Sequence, residues 1–410
     1  MLKHFLPLVL VVCVVPILFA QSRQSTRLVI GDDALAHAKR LLKTAPIIDG
    51  HNDFPWQVRD KGNGDLNAFD MRKPQPALMT DLARLRTGGV GGQFWSVFVP
   101  VDILKTTGVD PLTATLEQID LVHRMVAAYP DTLALALTAD DVERIQKQGK
   151  IASLIGVEGG HCIDNSLGAL RMLYRLGARY MTLTHTSNTP WADSATDVVV
   201  SHGLNAFGES VVREMNHLGM LVDLSHVSPE TMMAAMRVSS APVIFSHSSA
   251  KALVNVPRNV PDDVLTALKT NGGVIMVTFV PSFDSQAVAD FNTRETAERA
   301  RLMTALNNDA KAVDAAMATW QKTNVAPRAT IAQVADHIDH IRKITGIDHI
   351  GLGSDFDGIE SVPLGLEDVS TYPALIAELI RRGYSDEDLA KITNRNILRV
   401  LRAAEIKGHG

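Results

Sequence analysis

Eight apolar, β-branched runs bounded by turn residues recur along this 410-residue chain, and helical patterns separate them. They cover residues 46–53 (PIIDGHND), 91–99, 151–160, 178–185, 220–226, 242–248, 272–280 and 349–358 (HIGLGSDFDG). The helical stretches include 111–128, 167–176, 206–218, 229–238 and 330–344, followed by 372–382 and 386–403. Strands that are apolar throughout belong in a parallel sheet covered on both faces. Eight of them alternating with helices predict an α/β chain closed into a (β/α)8 TIM barrel. A polar helical insertion, 285–324, falls between the seventh and eighth strands, and extra helices follow the eighth. An open doubly wound sheet is the alternative, but no Gly-rich phosphate turn follows the first strand. TGGVGGQ, 87–93, precedes a strand instead of opening a helix.

Titratable groups gather at the ends of these runs. The first closes on His51 and Asp53, the third on Glu158, the fourth on His185, and the fifth, sixth and eighth on His226, His247 and Asp355. In a barrel all of these ends meet on the face where catalytic sites lie.

Each group also has a plainer reading. His51 and Asp53 are spaced i, i+2 and point the same way from a strand, with Asn52 turned aside, yet a polar strand end facing water would look alike. Asp49 shares that face, as an outer partner of the site or as a group bonded to backbone. Glu158 follows four apolar residues, and a carboxylate there is costly to bury unless paired or metal-bound. A salt bridge at the barrel mouth is its alternative, while Gly159 and Gly160 would let the chain pass close to an ion. His226 and His247 lie one βαβ step apart and strengthen each other beside a carboxylate. Imidazoles and carboxylates with one group able to bridge suit two borderline divalent ions such as zinc. Two such ions about 3.5–4 Å apart can share a hydroxide and polarise a carbonyl.

With that set filled, His185 remains to stabilise developing negative charge, and Asp355 to move a proton from water to a leaving nitrogen. Arg258, one loop beyond the sixth strand, is placed to bind a carboxylate, or else is a surface ion-pair arginine. His161 and Cys162 are chain neighbours and are discounted as a nucleophile pair. His337 and His340 are assigned to a solvated helix face, Asp262 and Asp263 to a helix N-terminus, and 285–324 to a lid, a subunit contact or a peripheral decoration.

Composition narrows the partners. A net charge of −5 argues against nucleic acid. Residues 1–20 carry Lys3, an apolar run and Ala20 before a polar stretch, the layout of a cleaved signal peptide. The run is short and holds Pro7 and Pro16, so no stable membrane span is expected after its removal, with an uncleaved anchor as the lesser alternative. The expectation is export to the periplasm or the medium, with 21–410 as a single hydrolase domain. Cys13 leaves with the signal and Cys162 stays alone, so no intramolecular disulfide forms. A homodimer is left open.

The segments DGHNDFPW, GVEGGH, YMTLTHTSNTPWAD, VDLSHVS, FSHSSA, VPRNVPDD and GLGSDFDG resemble the motifs of the membrane dipeptidase (renal dipeptidase) family, from about residue 46 to 357. The resemblance implies a zinc-dependent barrel peptidase that hydrolyses dipeptides and tolerates D-residues at the C-terminal position. It implies one zinc on His51 and Asp53, a second on His226 and His247, and Glu158 between them. It gives His185 the substrate and its oxyanion, Arg258 the substrate carboxylate, and Asp355 proton transfer. Animal members carry a lipid anchor and disulfides. This chain ends RAAEIKGHG without an apolar tail, which fits an exported bacterial-type member. Two other readings compete: a related binuclear barrel hydrolase acting on another amide, lactone or phosphoester, and a non-catalytic metal- or peptide-binding protein.

Overall fold

The computed structural model describes residues 25–408, so the expected signal segment lies outside the described residues. Among the described residues nine strands run in parallel: β1 (Ile47–Asn52), β2 (Val90–Phe98), β3 (Leu133–Leu135), β4 (Ile151–Glu158), β5 (Ala178–Thr182), β6 (Leu221–Asp223), β7 (Ile244–Ser248), β8 (Val274–Val277) and β9 (Ile350–Leu352). Eight of them close into a barrel in the order β1, β2, β4, β5, β6, β7, β8, β9, with β9 returning to β1. The eight expected strands are these eight. The ninth, β3, was not foreseen. It pairs with Ile151–Ser153 of β4, along the edge whose later residues, Ile155–Val157, pair with β5.

Local sequence sets the helix bounds. Asp110, Asn205 and Ser228 each accept hydrogen bonds from backbone N–H groups of the helices they precede: Pro111–Ala128, Ala206–Leu218 and Pro229–Val238. Proline at the first position presets the turn in the first and third. The expected helix over 386–403 is instead three pieces: Asp386–Ala390, a π segment Lys391–Arg395, and Asn396–Gly408. The π segment serves packing. Thr393 and Asn394 donate to the carbonyls of Ala45 and Pro46 just before β1, and Asn396 donates to those of Ile347 and Ile350.

One buried cluster fills the barrel, with Ile48, Phe94, Leu154, Tyr180, Leu221, Ile244 and Met276 from successive strands. It continues into helices Ala139–Lys147 and Asn396–Gly408, which cover the N-terminal ends of the strands. Each such fully buried side chain contributes about 1.5–3 kcal/mol. A second, larger cluster lies between the outer strand faces and the helices. The polar insertion is a helix pair, Gln286–Ala305 and Ala310–Thr323, with a small core of its own at Leu302, Val313 and Met317. With helices covering the N-terminal end of this core, the barrel leaves its C-terminal rim to polar groups.

Candidate metal centre

The strand ends bring the polar groups together. His51 lies in β1, and Asp53 follows it at the N-cap of helix Phe54–Gly62. Glu158 is the last residue of β4, and His247 lies in β7. His185, His226 and Asp355 each stand three residues beyond β5, β6 and β9. His226 and Asp355 hold φ values of 68° and 67°. Such left-handed backbone is costly for residues with a Cβ and collects at functional sites.

Glu158 is at the middle. Its Oε2 lies 3.4 Å from His51 Nε2, and Ser96 Oγ donates to that same oxygen. Its Oε1 lies 3.0 Å from His226 Nε2, 3.5 Å from His247 Nε2 and 3.6 Å from His185 Nε2. On the first side, Asp53 Oδ2 is 3.2 Å and Asp355 Oδ1 4.0 Å from His51 Nε2. On the second, the Nε2 atoms of His226 and His247 are 2.9 Å apart.

Outer contacts hold these ligand-type groups in place. Ser246 Oγ donates to Asp223 Oδ2 at 2.6 Å and lies 2.9 Å from His247 Nδ1. With the hydroxyl proton given to the carboxylate, Oγ is left to accept from Nδ1–H, so His247 Nε2 carries its lone pair into the site. Asp49 accepts from Ser354 N and Oγ and from Gln93 Nε2, tying β1 to both of its neighbours. Its donors are thus one backbone group and two side chains. A Cβ on Gly160 would crowd Leu183 O and the Trp191 ring, so this glycine admits the loop after β5.

Electrostatics divides the site. Burial alone would raise Glu158, but His51, His185 and His226 outweigh it and hold its carboxyl well below the usual range. Burial, then Arg258 and His185, push His226 well down; burial, then His51 and Arg258, do the same to His247. Both are thus neutral imidazoles, the form a metal requires. Burial opposes a charge on His51, yet Tyr180, Glu158 and Asp53 raise it well above the ordinary value. That side of the site attracts a cation.

The donors fit a metal. His51 Nε2 and Asp53 Oδ1 are buried with no hydrogen-bond partner, a costly condition unless an ion meets them. Three donor sets have ligand atoms within 4.8 Å of one another: His51, Glu158 and His247; Glu158, His185 and His226; and His51, Asp53 and Asp355. Nitrogen and oxygen donors in this mixture suit zinc-like ions.

A cleft of about 720 Å³ opens over these residues, lined by Asp53, Glu158, His185, His226, Arg258 and Asp355 among others. Arg258 is buried against Phe283, its Nη2 donates to His247 O at 3.3 Å, and its Nη1 has no partner. It is therefore not a surface ion-pair arginine. No residue of 286–323 lines the cleft. Among residues set aside, Cys162 is buried and free. Asp262 and Asp263 open helix Asp262–Asn271 as expected. His337 contradicts its assignment to a solvated face: it is 1% exposed, and its Nδ1 accepts from Ala250 N at 3.0 Å. Tyr180, Ser246 and Asp223 were not singled out. A period-two reading of VDLSH, which puts Asp223 and Ser225 on one face of an apolar strand, was the available signal for the last.

Comparison with known proteins places this arrangement. The family model for membrane dipeptidase (peptidase family M19) matches residues 35–409. Dipeptidase verJ of Clonostachys rogersoniana is 42% identical over 382 residues, which is 91% of this chain and 88% of that protein. Dipeptidase 3 of Mus musculus is 42% identical over 373 residues, 90% of this chain and 66% of that protein. Among solved structures, the probable dipeptidase PvdM from Pseudomonas aeruginosa superposes with a TM-score of 0.79 at 25% identity, covering 92% of this chain and 99% of that one. The fold is also shared by a metallo peptidase from Rhodobacter sphaeroides liganded with a phosphinate mimic of the dipeptide L-Ala-D-Ala, at a TM-score of 0.71 and 23% identity, over 88% of this chain and 99% of that one.

Proposed function

The chain belongs to the membrane dipeptidase family, peptidase family M19, a family of metal-dependent hydrolases acting on dipeptides, and from that premise we propose an exported zinc dipeptidase with a binuclear centre. His51 and Asp53 would hold one ion, His226 and His247 the other, and Glu158 would bind both. The observation that carries this reading is the division of Glu158, with Oε2 toward His51 and Oε1 toward His226 and His247. Two divalent ions held there supply an acidified water and a polarised substrate carbonyl.

The side chains of the cleft do the rest. Arg258 binds the free carboxylate of the dipeptide through its unpartnered Nη1. Burial pulls its guanidinium down to about 10, so it stays charged at neutral pH. Burial also lowers His185 against the pull of Glu158. Its neutral ring offers an N–H to the oxygen on which negative charge develops. Burial pushes the Asp355 carboxyl well above its ordinary range, with Asp53 and Glu158 adding to the effect against His51. It can hold the proton taken from water until the amine departs.

Export is supported by Lys3 and the apolar run that follows it up to Ala20, the layout of a leader. Among the described residues no helix is long and apolar enough to cross a membrane. Acceptance of D-residues at the C-terminal position belongs to the family resemblance. The test is a dipeptide panel with both chiralities at the second residue, L-Ala-D-Ala included, run before and after exhaustive chelation. Activity that vanishes on chelation and returns with zinc supports the reading; full activity without metal refutes it.

A further inference from the structure

Tyr180 in β5 is fully buried, and its phenol oxygen lies 2.9 Å from His51 Nδ1. The same hydroxyl donates to Gly50 O at 3.2 Å. Its ring packs beside Phe94 and lies against Gly156, where any Cβ would overlap it. The side chain is thus held from both sides, and its oxygen has little freedom.

The protons can be assigned by counting. The phenol has one, and the Gly50 carbonyl can only accept, so that proton is committed. The phenol oxygen is then left to accept from His51 Nδ1–H, so Nε2 is the nitrogen that offers a lone pair once a cation takes the place of the ring's second proton. Two carboxylate oxygens are near that atom, Asp53 Oδ2 at 3.2 Å and Glu158 Oε2 at 3.4 Å, yet Nε2 makes no hydrogen bond. Neither oxygen stands in line with an Nε2–H. A cation held between the two oxygens and Nε2 would share all three atoms.

We infer that Tyr180 is a positioning residue for the metal centre: it fixes the tautomer and ring plane of His51 so that Nε2 faces the ion held with Asp53 and Glu158. This rests on the reading of the site as a metal centre. His247 has its own support in Ser246 and Asp223, so the two ions depend on separate outer partners. Losing Tyr180 acts on one of them.

Tyr180→Phe keeps the ring over Gly156 and removes only the hydroxyl. The measurement is zinc titration of metal-free protein against a chromophoric chelator. Wild type takes up two equivalents. Tyr180→Phe keeps one at wild-type affinity and binds the other roughly 10–100-fold more weakly, the usual effect of losing an outer partner. Two wild-type affinities, even with a lowered melting temperature of the metal-free protein, would reduce Tyr180 to a packing residue and overturn the inference. A wild type that takes up no zinc would instead bring down the metal-centre reading, and the inference with it. If Tyr180→Phe does not fold, nitrogen NMR of zinc-loaded wild type labelled at histidine decides. His51 protonated at Nδ1 with zinc on Nε2 supports the inference, and the opposite tautomer overturns it.

Discussion

Glu158 Oε1 stands 3.0 Å from His226 Nε2, while its other oxygen faces the opposite half of the site. One carboxylate therefore joins groups drawn from β1, β4, β7 and the loop after β6. Glu158→Gln keeps the shape and replaces one oxygen with an NH2 group that cannot bind a cation. Zinc content should fall by at least one ion per chain. The kcat should drop by more than about a hundredfold, beyond the range for outer partners. Elemental analysis with steady-state kinetics checks both, and a variant retaining two ions would contradict the bridging role.

In the proposed reading Arg258 binds the substrate carboxylate and leaves the reacting bond to other groups. Arg258→Ala should raise KM for a free-carboxylate dipeptide roughly 10–100-fold, the loss of a charge-assisted hydrogen bond worth about 1.5–3 kcal/mol. The C-terminal amide of the same dipeptide should be nearly unaffected. Equal effects on both substrates would favour a hydrolase of another amide, lactone or phosphoester.

Gly358 presses on two carboxylates at once. A Cβ there would overlap both Asp53 Oδ2 and Asp355 Oδ1. Gly358→Ala should cut kcat by roughly a hundredfold, since catalytic groups displaced by about 1 Å lose that much. The far-ultraviolet circular dichroism should be unchanged. Wild-type kcat in this variant would show that the two carboxylates can move freely.

His337 predicts an acid-sensitive fold. Burial pushes its imidazole down to about 4, so the folded protein holds it neutral. The unfolded chain protonates near pH 6.5. Its contribution is therefore fully present above about pH 6.5 and is lost as pH falls toward 4, up to about 3 kcal/mol. His337→Asn keeps an acceptor for Ala250 N and does not titrate. Urea unfolding across this window should show a flatter pH dependence for the variant than for wild type, and identical slopes would contradict the account.

His337 also shows where sequence reading stops. Its partner is Ala250 N, 87 positions away, and its i, i+3 spacing with His340 looks like an exposed face. The strand-end groups were legible because an apolar run closing on a histidine or acid is visible within ten residues. Their convergence followed from the barrel, itself legible in eight such runs. Strand β3 was not, because three residues of Leu and Ala carry no period. Tyr180 was hidden for a related reason. An aromatic residue inside an apolar strand reads as core, and its hydroxyl acquires a role only when β1 folds against β5. The left-handed backbone at His226 and Asp355 leaves no mark in composition at all.

In the proposed centre, donors scattered from His51 to His247 meet around two cations. Anomalous diffraction at the zinc edge from zinc-loaded crystals tests it directly. The account predicts two peaks per chain, one against His51 and Asp53, one against His226 and His247, with Glu158 touching both. A single peak, or peaks away from Glu158, would contradict it.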